Sequence, residues 1–297
     1  MAPARRNKLL VEFVCACALV ATLLPSASPA QGGIRVKDGE KICFLGDSIT
    51  SGGAKNVAGY CRLVISGLKT HGINATMIPA GVSGHKSDQM LERLERDVLK
   101  KKPDWMTLSC GVNDVWHGDR GVKLPEYKKN ITAIVDRAQA AGIKVMILTS
   151  TMIYEDQKKP RNQQLLPYNA FLCELAKAKG CLLADLNQVM QDALDRGPNA
   201  PPGNQLTTDG VHMNTLGNIM MAGGVLEAFG LSGEQLKKSR AGWESMDDTC
   251  SVRLDIKMSA ATYRHLRKLA VWQGASNVEG LFKPKMEQAL GELMKLK

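Results

Sequence analysis

The chain is poor in aromatic residues, at 5% of its 297 positions, which leaves little with which to stack exposed bases. It has no run of like charges longer than Lys100-Lys101-Lys102. Its excess of Lys+Arg 39 over Asp+Glu 29, a formal +10, is therefore spread along the chain. A nucleic-acid binder would gather that charge on one helix or patch, so nucleic acid is not an expected partner. No C-x-x-C pair occurs, which removes the usual ligand spacing of a structural zinc site. Past residue 30 no apolar run is long enough to cross a membrane. With 44% hydrophobic and 23% charged residues, the composition argues against disorder and fibrous repeats. The length allows one α/β domain with a small addition. The basic balance suits a cell-envelope location or an acidic partner.

What is present begins with a leader. Arg5, Arg6 and Lys8 precede an apolar stretch over residues 13–24, and Ser28-Pro29-Ala30 supplies small residues for cleavage. Residues 1–30 read as a signal peptide, cut near Ala30, whose loss exports the protein to the periplasm or the exterior. The other reading of the same stretch is an uncleaved N-terminal anchor. Removing three cations and one anion from +10 leaves +8. Of eight cysteines two leave with the leader, and Cys43, Cys61, Cys110, Cys173, Cys181 and Cys250 remain. Cys43 and Cys110 lie in apolar runs, as small buried hydrophobes do. A single bridge, such as Cys173 with Cys181, is open in an oxidising compartment.

From residue 40 onward short apolar runs alternate with segments of helical periodicity. Strands are expected at 41–45, 74–78, 105–109, 144–148 and 181–184. Helices are expected at 60–70, at 87–99 with a solvated Glu/Arg face, at 126–141, 167–179, 186–196 and 216–229. Such alternation predicts a parallel sheet covered on both faces by right-handed crossovers. Ligands of such sheets bind beyond the carboxyl ends of the strands. Residues 243–297 break the rhythm: 250–256 alternates like an edge strand, Ser259 can cap a helix, and Pro284 or Lys285 can open another. The expected domains are the leader, a main domain over 31–242, and a small C-terminal α/β element over 243–297.

The first three strands end in Gly46-Asp47-Ser48, Gly81-Val82-Ser83-Gly84 and Gly111-Val112-Asn113-Asp114. One edge of the sheet thus gathers a hydroxyl, glycine amides and a side-chain amide. A serine becomes a nucleophile only with a base for its proton and donors for the oxyanion. Of five histidines only His212 has a carboxylate at short fixed spacing in a loop, Asp209-Gly-Val-His212. That step lets Asp209 turn back onto one imidazole nitrogen while the other faces the serine. The same four residues also suit an ordinary surface turn. Gly81-Val82-Ser83-Gly84-His85 lacks the last glycine of a nucleophile elbow, so Ser83 is a poor nucleophile. Asp114 suits a turn-holding role. Trp116 and His117 can line an acyl or sugar pocket or simply pack, while Gly52-Gly53, Tyr154 and 158–161 read as loop surface. A rival reading takes 48–52 as the phosphate loop of a flavodoxin-like cofactor module, which leaves Asp209 and His212 unexplained.

Taken together, Gly46-Asp47-Ser48-Ile49-Thr50, Gly81, Gly111-Val112-Asn113-Asp114 and Asp209-Gly-Val-His212 resemble, in order, the four blocks of the SGNH (GDSL-type) hydrolases. The resemblance covers roughly residues 41–230. It implies a three-layer α/β/α sandwich with a flavodoxin-like five-stranded parallel sheet, and an ester-hydrolysing serine that needs no cofactor or metal. Carried over, Ser48 is the nucleophile, His212 the base and later acid, and Asp209 its orienter. The amides of Ser48 and Gly81 and the side chain of Asn113 form the oxyanion hole. One departure is Pro79, where the family usually has Asn. The superfamily includes lysophospholipases and thioesterases. Export and compact loops look more like its carbohydrate O-acetylesterase or short-chain carboxylesterase branch.

Overall fold

The computed structural model describes residues 33–194, 197, 203–244, 246 and 256–295. The leader, Cys250 and most of the edge strand expected at 250–256 lie outside these residues. Five strands form one parallel sheet: β1 (Lys41–Gly46), β2 (Thr76–Gly81), β3 (Trp105–Ser109), β4 (Lys144–Leu148) and β5 (Leu182–Ala184). Their order is β2-β1-β3-β4-β5, and every pairing is parallel. The order reverses at β1, which pairs with β2 on one side and β3 on the other. A crevice at such a switch point is where an open α/β sheet binds its ligand.

Among the described residues of the main unit, nine α-helices connect and cover the strands: α1 (Ser48–Lys55), α2 (Tyr60–Thr70), α3 (Ser87–Asp97), α4 (Val112–Trp116), α5 (Leu124–Ala140), α6 (Pro160–Lys179), α7 (Leu186–Ala193), α8 (Thr215–Ala228) and α9 (Gly233–Glu244). α1, α2, α8 and α9 pack together as one layer and α3, α5 and α6 as the other, with the sheet between. Ile42, Cys43, Phe44 and Leu45 of β1 are fully buried, as a central strand covered on both faces requires. Pro79 lies in β2 at the sheet edge, opposite Phe44. An edge strand tolerates the lost amide donor.

Several helices depart from the sequence expectation, α4 and α9 among them, since no expected segment covers either. α1 runs through Gly52 and Gly53, which disfavour helix. It forms because Asp47 caps it, accepting from the Ile49 amide at 2.9 Å, and because a side chain at Gly53 would strike the Tyr60 ring. α6 begins at Pro160, seven residues before the expected start, and contains Pro167. Pro160 occupies the first turn, where a missing amide costs nothing. The solvated Glu/Arg face expected on α3 holds one exception, since Arg93 is buried.

The contacts divide the chain between Asp247 and Asp248. The C-terminal unit contains α10 (Ala260–Trp272) and α11 (Val278–Leu293), capped by the side chains of Ser259 and Asn277. α11 starts before Pro284 and includes it. Among the described residues no helix is long and apolar enough to cross a membrane, and Cys43, Cys61, Cys110, Cys173 and Cys181 are unbridged.

Candidate active site

Ser48 opens α1 immediately after the tip of β1, so its own amide belongs to the first turn, where no intrahelical acceptor exists. His212 reaches it from the loop before α8. Its Nε2 lies 2.9 Å from Ser48 Oγ, and its Nδ1 lies 2.7 Å from Asp209 Oδ2. The tautomer that donates from Nδ1 to the carboxylate leaves Nε2 to accept the serine proton. The other Asp209 oxygen accepts from the backbone amides of Val211 at 3.0 Å and His212 at 2.8 Å. Burial pushes the Asp209 carboxyl up, but hydrogen bonds from the His212 side chain and amide and from the Val211 amide outweigh it, and the net shift is downward. Asp209 is thus held as an anion beside the imidazole.

The sheet edge adds the remaining groups. Gly81 faces α1 so closely that a Cβ there would come within 2.3 Å of the Ser51 nitrogen. Glycine at this point lets the helix that Ser48 opens lie against β2. Asn113, in the first turn of α4, donates through Nδ2 to Asp47 Oδ2 and to the His85 carbonyl, each at 3.2 Å. Both bonds are at the long end of the normal range. Asp47 therefore joins the two segments: one carboxylate oxygen caps α1 and the other receives Asn113. Asp47 is only 3% exposed, and burial pushes its carboxyl up to about 6.

Asp114 accepts from the amide of Ser87 at 3.0 Å and its hydroxyl at 2.6 Å, which ties α4 to the start of α3. Ser83 is not joined to this relay. The phosphate-loop reading of 48–52 does not account for the contacts of Ser48 with His212 and of His212 with Asp209.

Two residues that matter here were read otherwise or passed over in the sequence. The guanidinium of Arg93 donates to the carbonyls of Gly46 and Ala80 at 2.8 Å each, to Asp97 at 3.0 Å and to His85 Nδ1 at 3.2 Å. It fastens the tips of β1 and β2 and the residue whose carbonyl receives Asn113. Burial, then the Arg93 charge, lower the His85 pKa, which keeps Nδ1 free to accept. Glu155 organises the opposite side. Its carboxylate accepts from the amides of Gln205, Leu206 and Thr207 at 2.6, 2.8 and 2.7 Å and from the Thr207 hydroxyl at 2.7 Å. These bonds fix the segment that enters the Asp209–His212 turn. The turn is closed by a single antiparallel bridge, Thr207 with Met213.

Residues 44–218, more than half of the chain, match the GDSL-like lipase/acylhydrolase family. The chain belongs to that family. It is an ester hydrolase of the SGNH superfamily. Over 216 residues it is 24% identical to an acetylxylan esterase of Geobacillus stearothermophilus, covering 66% of this chain and 97% of that one. An arylesterase of Vibrio mimicus is 25% identical over 175 residues, 55% of this chain and 83% of the relative. Among solved structures, the acetyl xylan esterase AlAXEase shares 34% identity and a TM-score of 0.59, covering 63% of this chain and 98% of its own. The family match lies within the main unit.

Proposed function

We propose that this esterase is an exported carbohydrate O-acetylesterase that works through an acyl-serine intermediate. The relay from Asp209 through His212 to Ser48, at 2.7 and 2.9 Å, carries the reading. In it, Ser48 Oγ attacks the acetyl carbonyl carbon as its proton passes to His212 Nε2. The carbonyl π electrons move onto oxygen, and the oxyanion is met by the amides of Ser48 and Gly81 and by Asn113 Nδ2. Asn113 can shift from its two long bonds to a developing negative charge, which is the stronger acceptor. Collapse breaks the bond to the sugar oxygen, which takes the proton back from Nε2 and leaves as the alcohol. Water then repeats the sequence on the acyl-serine: it gives a proton to His212, forms acetate, and restores the serine hydroxyl. Asp209 stays ionised and orients the ring throughout.

The acetylated-carbohydrate class is supported by the acetylxylan esterases among the relatives, one of which matches over 97% of its length. Export is supported by the basic and apolar character of residues 1–30. The test is a panel run on one preparation: acetylated xylooligosaccharides, ethyl acetate, and esters of rising acyl length. Acetate release from the oligosaccharide with a higher kcat/KM than from long-chain esters is expected. A preference rising with acyl length would replace this reading with a lipid-directed one.

A further inference from the structure

Trp116 and Tyr154 come from separate segments and meet beside the relay, with ring centroids 5.5 Å apart and planes tilted by 48°. The tilt leaves each ring partly open, and they are 37% and 39% exposed. Large aromatic side chains left open in this way are costly to solvate and commonly mark a binding surface. Each stands on a segment that carries a reacting group. Trp116 follows Asn113 by three residues in α4, so the two side chains share one helix face. Tyr154 donates its amide to the Gly210 carbonyl at 2.7 Å, inside the Asp209–His212 turn.

The backbone at Tyr154 is held in a conformation that side-chain-bearing residues rarely adopt, φ +67°. Its surroundings enforce it. Asn162, itself buried, donates to the Tyr154 carbonyl at 2.6 Å and accepts from the Ile153 amide at 2.7 Å. Gly210 has φ +93°, and a Cβ there would approach the Tyr154 ring to 2.7 Å. The chain therefore spends strain and a glycine to seat an exposed tyrosine against the base's own turn, which is the pattern of strain kept for function. The neighbours of Trp116 in sequence, Val115 and His117, line an open cleft of about 890 Å³ with Arg120, Lys123 and Arg161.

We propose that Trp116 and Tyr154 form an aromatic corner that receives the sugar ring bearing the scissile acetyl group. A pyranose ring offers an apolar C–H face to an aromatic ring and hydroxyls to polar surroundings. An acyl chain would need apolar walls on every side, and the neighbouring cleft carries the charged groups of Arg120, Lys123 and Arg161. The corner thus sets which alcohol is presented to Ser48, and it rests on the carbohydrate reading above.

Tyr154→Asn is the informative variant, because Asn removes the ring yet tolerates the left-handed backbone. It is paired with Trp116→Leu, which keeps apolar bulk without the flat face. The readout is the ratio of kcat/KM for acetylated xylooligosaccharide to that for ethyl acetate, which has no ring to stack. Each variant should lower this ratio about five- to tenfold, mostly through KM for the oligosaccharide. If both substrates lose activity in parallel, the residues only support the loop and the corner is wrong; an unchanged ratio overturns it as well. Binding of unacetylated xylotetraose, followed by isothermal titration calorimetry, separates the corner from the chemistry. Binding that Trp116→Leu weakens, in a parent that releases no acetate from the oligosaccharide, would leave the corner standing and overturn the proposed function. Absence of xylotetraose binding to the parent would overturn the corner.

Discussion

The two halves of the site stand on supports of different kinds. Ser48 and Asn113 sit at strand tips, next to a carboxylate, Asp47, that is 3% exposed, and the parallel ladder beneath them holds the backbone. Asp209 and His212 ride a loop closed by one bridge, and their side chains are 54% and 48% exposed. The first half is positioned by the core of the domain and would be hard to misplace without unfolding it. The second is positioned by a few polar contacts, above all the four bonds to Glu155. Placement by packing is robust, whereas placement by side-chain hydrogen bonds can be lost while the fold survives.

Breaking the loop half at its chemistry should have the largest effect. Asp209→Ala is expected to lower kcat by roughly 10⁴, the scale for a triad carboxylate, with little change in Tm because the side chain is half exposed. A loss under about tenfold would mean that His212 is oriented by something else. On the sheet side, Asn113→Ala should cost about 10²–10³ in kcat with KM little changed, as removal of one oxyanion donor does. A destabilised variant whose folded fraction keeps full kcat would instead make Asn113 a turn residue.

Glu155→Ala sharpens the comparison, because Glu155 touches no reacting group. Loosening the turn should cost on the order of 10–10² in kcat, since a misplacement near 1 Å has that scale. The pH dependence of kcat/KM should then keep its parental shape in the variant, with only the amplitude reduced. A Glu155→Ala variant with parental kcat would show that the Thr207–Met213 bridge suffices to place His212.

The smallest effect concerns Asp47 and stability. Its folded pKa of about 6 is above the value near 3.9 expected in an unfolded chain. Between those values the native state holds a proton that the unfolded chain has released, so this contribution is full below about pH 4 and is lost as pH rises through about 6. Asp47→Asn keeps the cap through its one carbonyl oxygen, gives up the acceptor for Asn113, and does not titrate. Parent Tm measured against that variant should fall by a few degrees from pH 4 to pH 7. Parallel profiles would show that Asp47 is not strained by burial.

The same contrast explains what could be read from the sequence. β3, β4 and α2 follow from local periodicity alone, at the residues where they are observed. Ser48 and the Asp209–His212 spacing are short patterns at element ends, and the family blocks point to them. α1 was hidden because Gly52 and Gly53 argue against helix, and only the Asp47 cap and the close fit against Tyr60 and Gly81 overrule them. Arg93 looked like a solvated charge because its partners Gly46 and Ala80 lie on other elements. Glu155 is separated from its partners by about fifty residues, so no local pattern marks it. Tyr154 read as loop surface, and its left-handed backbone and contact with Trp116 emerge only when α4 and the 207–213 turn come together.

The central claim is that Ser48 alone among the serines is made nucleophilic by the His212 contact. Treatment with diisopropyl fluorophosphate followed by intact-mass and peptide analysis tests it directly. One diisopropylphosphoryl group per chain, mapped to Ser48 and absent from Ser48→Ala and His212→Ala, is the predicted result. An adduct at Ser83 or elsewhere, or undiminished labelling of Ser48→Ala, would contradict the account.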